Sequence, residues 1–155
     1  MGIEDEIKQA RFASEHEKFI VNIALTQSQL NANFQRMLKP LGISMQQFNV
    51  LRILKGKDPE AVCLADISCR MVDKMSNASR LVDKLFQKGL VQRETCAQDR
   101  RQIDVTLTDA GKDILNQANV VVGDAIQRFK SVPKKQLEKA NDALDNIRDI
   151  LHEET

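Results

Sequence analysis

"DRRQIDVTLTDAG", residues Asp99 to Gly111, decides the fold. An acid and two arginines occupy a tight polar segment, and Ile103, Val105 and Leu107 then alternate with polar residues. Such alternation predicts a strand with one apolar face. Upstream, Leu90-Val91-Gln92-Arg93 reads as a second short strand. Glu94 to Arg101 then form the loop of a hairpin, with its arginines exposed and pointing outward. Thr108-Asp109-Ala110-Gly111 opens a long helix that runs to about Phe129.

Before the hairpin the periodicity is helical. Ser14-Glu15-His16-Glu17 is a capping-box pattern that separates a short helix near residues 3–12 from a long one ending about Leu38. Pro40 with Gly42 stops the long helix, and Ser44-Met45-Gln46-Gln47 opens another, with Phe48, Leu51 and Leu54 on one face. Gly56 and Asp58-Pro59 break it. Leu64, Ile67, Met71 and Val72 mark a helix of two turns, Asp73-Lys74-Met75 a polar turn, and Ser76 the start of a helix ending at Gly89. Pro133 restarts a final helix with Leu137, Leu144, Ile147 and Leu151. Two short helices joined by a tight turn and followed by a hairpin make a winged helix-turn-helix. The expected fold class is mainly α with a small β-hairpin (α+β), flanked by long N- and C-terminal helices.

The 155 residues fit one domain with helical extensions. The acidic N-terminus has no long apolar run, so neither a signal peptide nor a membrane anchor is expected, and the cytoplasm is the default compartment. Net charge is only +1, but Arg70 to Arg101 holds eight basic and four acidic residues, a local +4. A basic middle between acidic ends points to a local anionic partner. An enzyme is not expected, because two histidines, no Gly-rich phosphate loop, no carboxylate pair and no metal-ligand spacing leave nothing to carry catalysis. No cofactor and no metal are expected. Cys63, Cys69 and Cys96 form no CxxC and suggest no disulfide framework. Cys69 reads as small core filler, and Cys96, exposed in the loop near arginines, is the one cysteine to test as a redox sensor.

Together, "SRLVDKLFQKGLVQRE", "DRRQIDVTLTDAGK" and "GISMQQFNVLRIL" resemble the MarR family of bacterial transcription regulators, over about Leu38 to Lys112. The resemblance implies three regions: residues 1–40 contributing to dimerisation, 41–110 forming a winged helix-turn-helix DNA-binding domain, and 111–155 forming C-terminal dimerisation helices. It implies a sequence-specific double-stranded DNA-binding repressor, a homodimer on a pseudo-palindromic operator. Candidate DNA contacts on the second short helix and its approach are Lys74, Ser76, Asn77, Ser79, Arg80 and Lys84. Asn77 could pair with adenine and an arginine with guanine, whereas Ser76 serves equally as a plain helix cap. In the wing, similarity to the family's D-x-R motif implies that Asp99 holds Arg101 for the minor groove while Arg100 approaches phosphate. The terminal helices carry more apolar side chains than one winged helix can cover. A symmetric dimer, or an intramolecular helical hairpin, would bury them.

Family members commonly bind aromatic or lipophilic anions. The corresponding effector site here would lie among Phe19, Phe34, Met37, Met45, Phe48 and Arg52, residues that an ordinary core would explain as well. The alternative to DNA binding is a winged-helix module that uses the same surface for a protein partner.

Overall fold

The computed structural model describes residues 2–96 and 101–153. The short helix α1 spans Ile3–Ile7, and the long α2 spans Glu15–Leu38. Ser14 Oγ accepts the Glu17 N–H at 3.1 Å, while the Glu17 carboxylate reaches back to the Ala13 N–H, one residue beyond the expected partner. After α2 a 3-10 turn over Lys39–Leu41 leads to Gly42, whose φ of 70° takes the left-handed stop the sequence predicts. Helix α3, Met45–Lys55, opens with the complete capping box: Ser44 Oγ accepts the Gln47 N–H, and Gln47 Oε1 accepts the Ser44 N–H, each at 3.1 Å. Its apolar face buries Phe48, Val50, Leu51, Ile53 and Leu54.

Strand β1, Val62–Cys63, precedes α4, Leu64–Arg70, and α5, Ala78–Gln87. Strands β2, Val91–Thr95, and β3, Ile103–Leu107, form the hairpin. The sheet therefore has three antiparallel strands in the order β1-β3-β2, not the two the sequence suggests. Val62 faces Val105 on one side of β3, and Arg93 faces Val105 on the other. Val105 is fully buried, and Val62 and Val91 nearly so, so the sheet closes over the helices through its β-branched residues.

Helix α6 spans Asp109–Gln127 and α7 spans Lys134–Glu153. The start of α6 explains its sequence. Thr108 Oγ1 accepts the Gly111 N–H at 3.0 Å and donates to the Gly89 carbonyl at 2.7 Å. A Cβ on Gly111 would lie 2.0 Å from the Leu90 carbonyl oxygen, so only glycine allows this approach. Asp58 fastens the same region, bonding Lys55 at 2.9 Å and Lys112 at 3.1 Å. The two ammonium groups hold its carboxyl below the usual carboxylate range.

Two compact units result, Met1–Ala118 and Asn119–Thr155. In the first, Leu38, Leu51, Leu54, Ile67 and Leu85 are shut away from solvent. In the second, α7 buries no residue. Among the described residues, no helix is long and apolar enough to cross a membrane.

Candidate nucleic-acid interface

The centre of the surface is α5 and the turn before it. Asn77, not Ser76, caps α5: its Oδ1 accepts the Arg80 N–H at 2.9 Å. Ser76 stands one residue earlier, donating its N–H to the Asp73 carbonyl at 3.1 Å, and its Oγ is enclosed with no protein partner. The correction has a simple cause. Two adjacent residues can each cap a helix, and Ser76 is already engaged in closing the turn.

Helix α5 is strongly two-faced. Ala78, Val82 and Leu85 are buried, while Ser79, Arg80 and Lys84 are exposed. Its C-terminal end is pinned by a buried amide: Gln47 Oε1 accepts Lys88 Nζ at 3.1 Å, and the same ammonium donates to the Gly42 carbonyl. The preceding turn is equally fixed. Asn49 Oδ1 accepts the Val72 N–H at 2.9 Å, and Asp73 Oδ1 accepts the Met75 N–H at 3.0 Å. Lys74 Nζ donates to the Cys69 carbonyl.

Helix α4 ends at Arg70, a residue or two earlier than its apolar pattern suggests. Met71 is still buried, but Val72 is 85% exposed and Met75 93% exposed. These two apolar side chains in the turn are a feature the sequence reading missed. Val72 completes the i, i+3, i+7, i+8 spacing of Leu64, Ile67 and Met71 as if it were core, and only the early helix end turns it outward. Cys69, expected in the core, is exposed, because Ile67 takes the inward position on α4. Cys96, expected to be exposed, is half-buried at the end of β2, where its N–H donates to the Gln102 carbonyl at 2.9 Å.

A cavity of about 480 Å³ brings Ser76, Asn77 and Ser79 together with Arg101 and Gln102 of the wing and with Ala65 and Ser68 of α4. Lys74, Arg80 and Lys84 do not line it. Arg101 is exposed two residues before the start of β3. Asp99 and Arg100 lie outside the described residues.

A second cavity, of about 630 Å³, lies against α2, α3 and the turn. Of the six proposed effector residues it gathers three, Met45, Phe48 and Arg52, with Gln27, Asn31 and Gln35 of α2. The Arg52 guanidinium stands 5.8 Å from the centre of the Phe48 ring. Phe19, Phe34 and Met37 stay on α2 outside its lining, and Lys74 belongs to it. A helical stripe gives the spacing of side chains along one helix but not which neighbour covers each, so half of the set falls elsewhere.

Comparisons with known proteins agree with this geometry. The family model described as "MarR family" matches residues 43–103. The transcriptional repressor MprA of Escherichia coli is 32% identical over 112 residues, a stretch spanning 68% of this chain and 64% of that repressor's length. A MarR-like regulator of Bacillus cereus superposes with TM-score 0.76 at 22% identity, covering 88% of this chain and 98% of that one. An organohalide-sensing transcriptional regulator, solved in a 2,4-dichlorophenol-bound form, superposes with TM-score 0.79 at 18% identity, over 91% of this chain and 86% of the other. Its motifs, its winged helix and these matches agree: the chain belongs to the MarR family.

Proposed function

We propose that the chain is a sequence-specific double-stranded DNA-binding repressor that acts as a homodimer. The observation that carries this is α5, which buries Ala78, Val82 and Leu85, exposes Ser79, Arg80 and Lys84, and is fastened at its start by the Asn77 cap and at its end by Lys88 on Gln47. A helix presented this way lays its N-terminal turn in a major groove. Arg80 reads guanine and Ser79 a neighbouring base edge, each specific bidentate pairing contributing about 1–3 kcal/mol of discrimination. Asn77 is committed through Oδ1 to its cap, which leaves its amide NH2 to donate to phosphate or a base acceptor. Met75, almost fully exposed beside this turn, suits a thymine methyl group. Lys74 and Lys84 contact the phosphate backbone, and Arg101 enters the adjacent minor groove.

Residues 41–110 carry DNA binding, and residues 1–40 and 111–155 build the dimer. Val120, Ile126, Ile150 and Leu151 are each more than half exposed in the single chain, which supports burial against a second copy. A symmetric dimer places two α5 helices about 34 Å apart, so the operator is pseudo-palindromic. The 630 Å³ cavity takes the effector, an aromatic or lipophilic anion lying beside Met45 and Phe48 and neutralised by Arg52. Because Met71 to Lys74 line the same cavity, a ligand there displaces the turn that sets α5 and releases the operator.

Selection from a random duplex library tests the reading. The expected product is a two-fold consensus whose half-sites lie about 10 base pairs apart. Recovery of no common sequence would refute it.

A further inference from the structure

Arg93 occupies an unusual place. It stands on β2 directly opposite Val105, and opposed residues of an antiparallel pair share one face of the sheet. That face is the inward one, since Val105 is fully buried. The Arg93 side chain crosses to α5 and ion-pairs with Asp83, and its guanidinium lies 4.6 Å from the centre of the Phe86 ring. Asp83 and Phe86 are three residues apart on one helix, so they form neighbouring halves of a single receptor. Arginine suits both halves, because its planar guanidinium pairs with a carboxylate through its edge and stacks on a ring through its face. Phe86 remains 39% exposed, and Arg93 is what covers its ring.

We propose that Arg93 is a positioning residue that latches the wing to α5. The assignment rests on the DNA-binding reading, since the latch matters because two DNA-contacting elements must keep one fixed relation. The root of the hairpin is already fixed to α5, since the Leu85 carbonyl accepts the Leu90 N–H at 3.0 Å and Leu85, Val91 and Val105 are fully buried. Arg93 adds a side-chain contact farther along β2 that restrains the outer hairpin. With the latch closed, one approach to the duplex engages both grooves. Without it the outer end of the hairpin, at Cys96 and Gln102, opens more often and samples several angles, and binding must first restore the right one.

The test uses the full chain with Arg93→Ala, Asp83→Ala, the double variant and Arg93→Lys. In the free protein, hydrogen exchange is followed at the Cys96 amide, which bonds the Gln102 carbonyl near the hairpin tip, and at the buried Leu51 amide as a control. Arg93→Ala should speed Cys96 exchange about tenfold, Asp83→Ala, which leaves the Phe86 stack, by less, and the double variant no more than Arg93→Ala, while Leu51 exchange should not change. On the duplex that the wild type selects, Arg93→Ala should weaken binding about tenfold and Asp83→Ala by less, and the double variant should bind no more weakly than Arg93→Ala. The slope of log affinity against log salt should stay at the wild-type value, because no phosphate contact is lost. Arg93→Lys, which keeps the charge but loses the flat stack, should fall between. Wild-type Cys96 protection in Arg93→Ala would overturn the latch. Tighter binding by Asp83→Ala would also overturn it, by marking Arg93 as a direct DNA contact that Asp83 restrains. A wild type that selects no duplex would refute the DNA-binding reading alone, and the exchange measurement would still decide the latch.

Discussion

Residues up to Ala118 and residues from Asn119 onward use apolar side chains in opposite ways. In the first unit Leu38, Val50, Leu51, Ile67, Leu85 and Val105 are fully enclosed within the chain. In the second, Leu137 is 43% exposed and Leu151 58% exposed, and Val122 and Ala125 are the buried apolar residues among those described. Both units carry amphipathic helices, and the difference lies in where the partner face comes from. The first unit supplies its own, since α2 to α5, the start of α6 and the sheet each bury apolar residues in it. The C-terminal segment has one end of α6 and α7, which cannot cover each other's apolar stripes completely. Under the proposed function a second copy of the chain completes it.

The largest effect expected to sharpen this contrast is Leu51→Ala. It should cost about 2–5 kcal/mol of unfolding free energy at any protein concentration, measured by denaturant titration. Leu151→Ala should act differently, lowering the melting temperature by an amount that depends on concentration, because it weakens association rather than an internal core. A wild-type melting temperature that does not move on dilution, with a monomer mass in sedimentation, would break the contrast. Next in size is Gly111→Ala, which drives a methyl group into the Leu90 carbonyl and should cost about 1–3 kcal/mol by the same titration. Asn77→Ala should remove about 1 kcal/mol by uncapping α5. It should also weaken DNA binding by disordering the helix start.

The smallest effect concerns pH. The folded carboxyl of Asp58 titrates below its ordinary value because Lys55 and Lys112 bond its charged form. Its contribution is therefore present above the unfolded carboxylate pKa and fades as pH falls through the lowered folded value. Asp58→Asn should melt below wild type at neutral pH, and the gap should close in acid. A gap that stays constant from neutral to strongly acidic pH would show that the charge of Asp58 contributes nothing.

Local signals in the sequence carried far. The Ser44-to-Gln47 box, the Gly42 and Gly89 stops and the alternation around Val105 each fix backbone within a few residues, and the structure has all of them. What stayed hidden depends on neighbours distant in sequence. Strand β1 is two residues long, too short to show any period, and exists because Val62 finds Val105. Ser76 and Asn77 are both good caps, and the choice between them is made by the turn at Asp73. Arg93 reads in sequence as one more positive charge, and only the packing of β2 on α5 gives it Asp83 and Phe86. The effector residues divided for the same reason. Met45, Phe48 and Arg52 share α3 and one cavity, whereas Phe19, Phe34 and Met37 follow the stripe of α2 elsewhere.

The most direct test of the central claim is a fluorescence-anisotropy titration of the selected duplex against a scrambled one over a range of salt. Wild type, Arg80→Ala and Arg101→Ala would be compared. The account predicts selective binding whose log affinity falls with log salt at a slope of about −0.9 for each phosphate neutralised. It also predicts a loss of sequence preference for Arg80→Ala and a loss of affinity for Arg101→Ala. Equal, salt-insensitive binding to both duplexes, unchanged by either substitution, would contradict it.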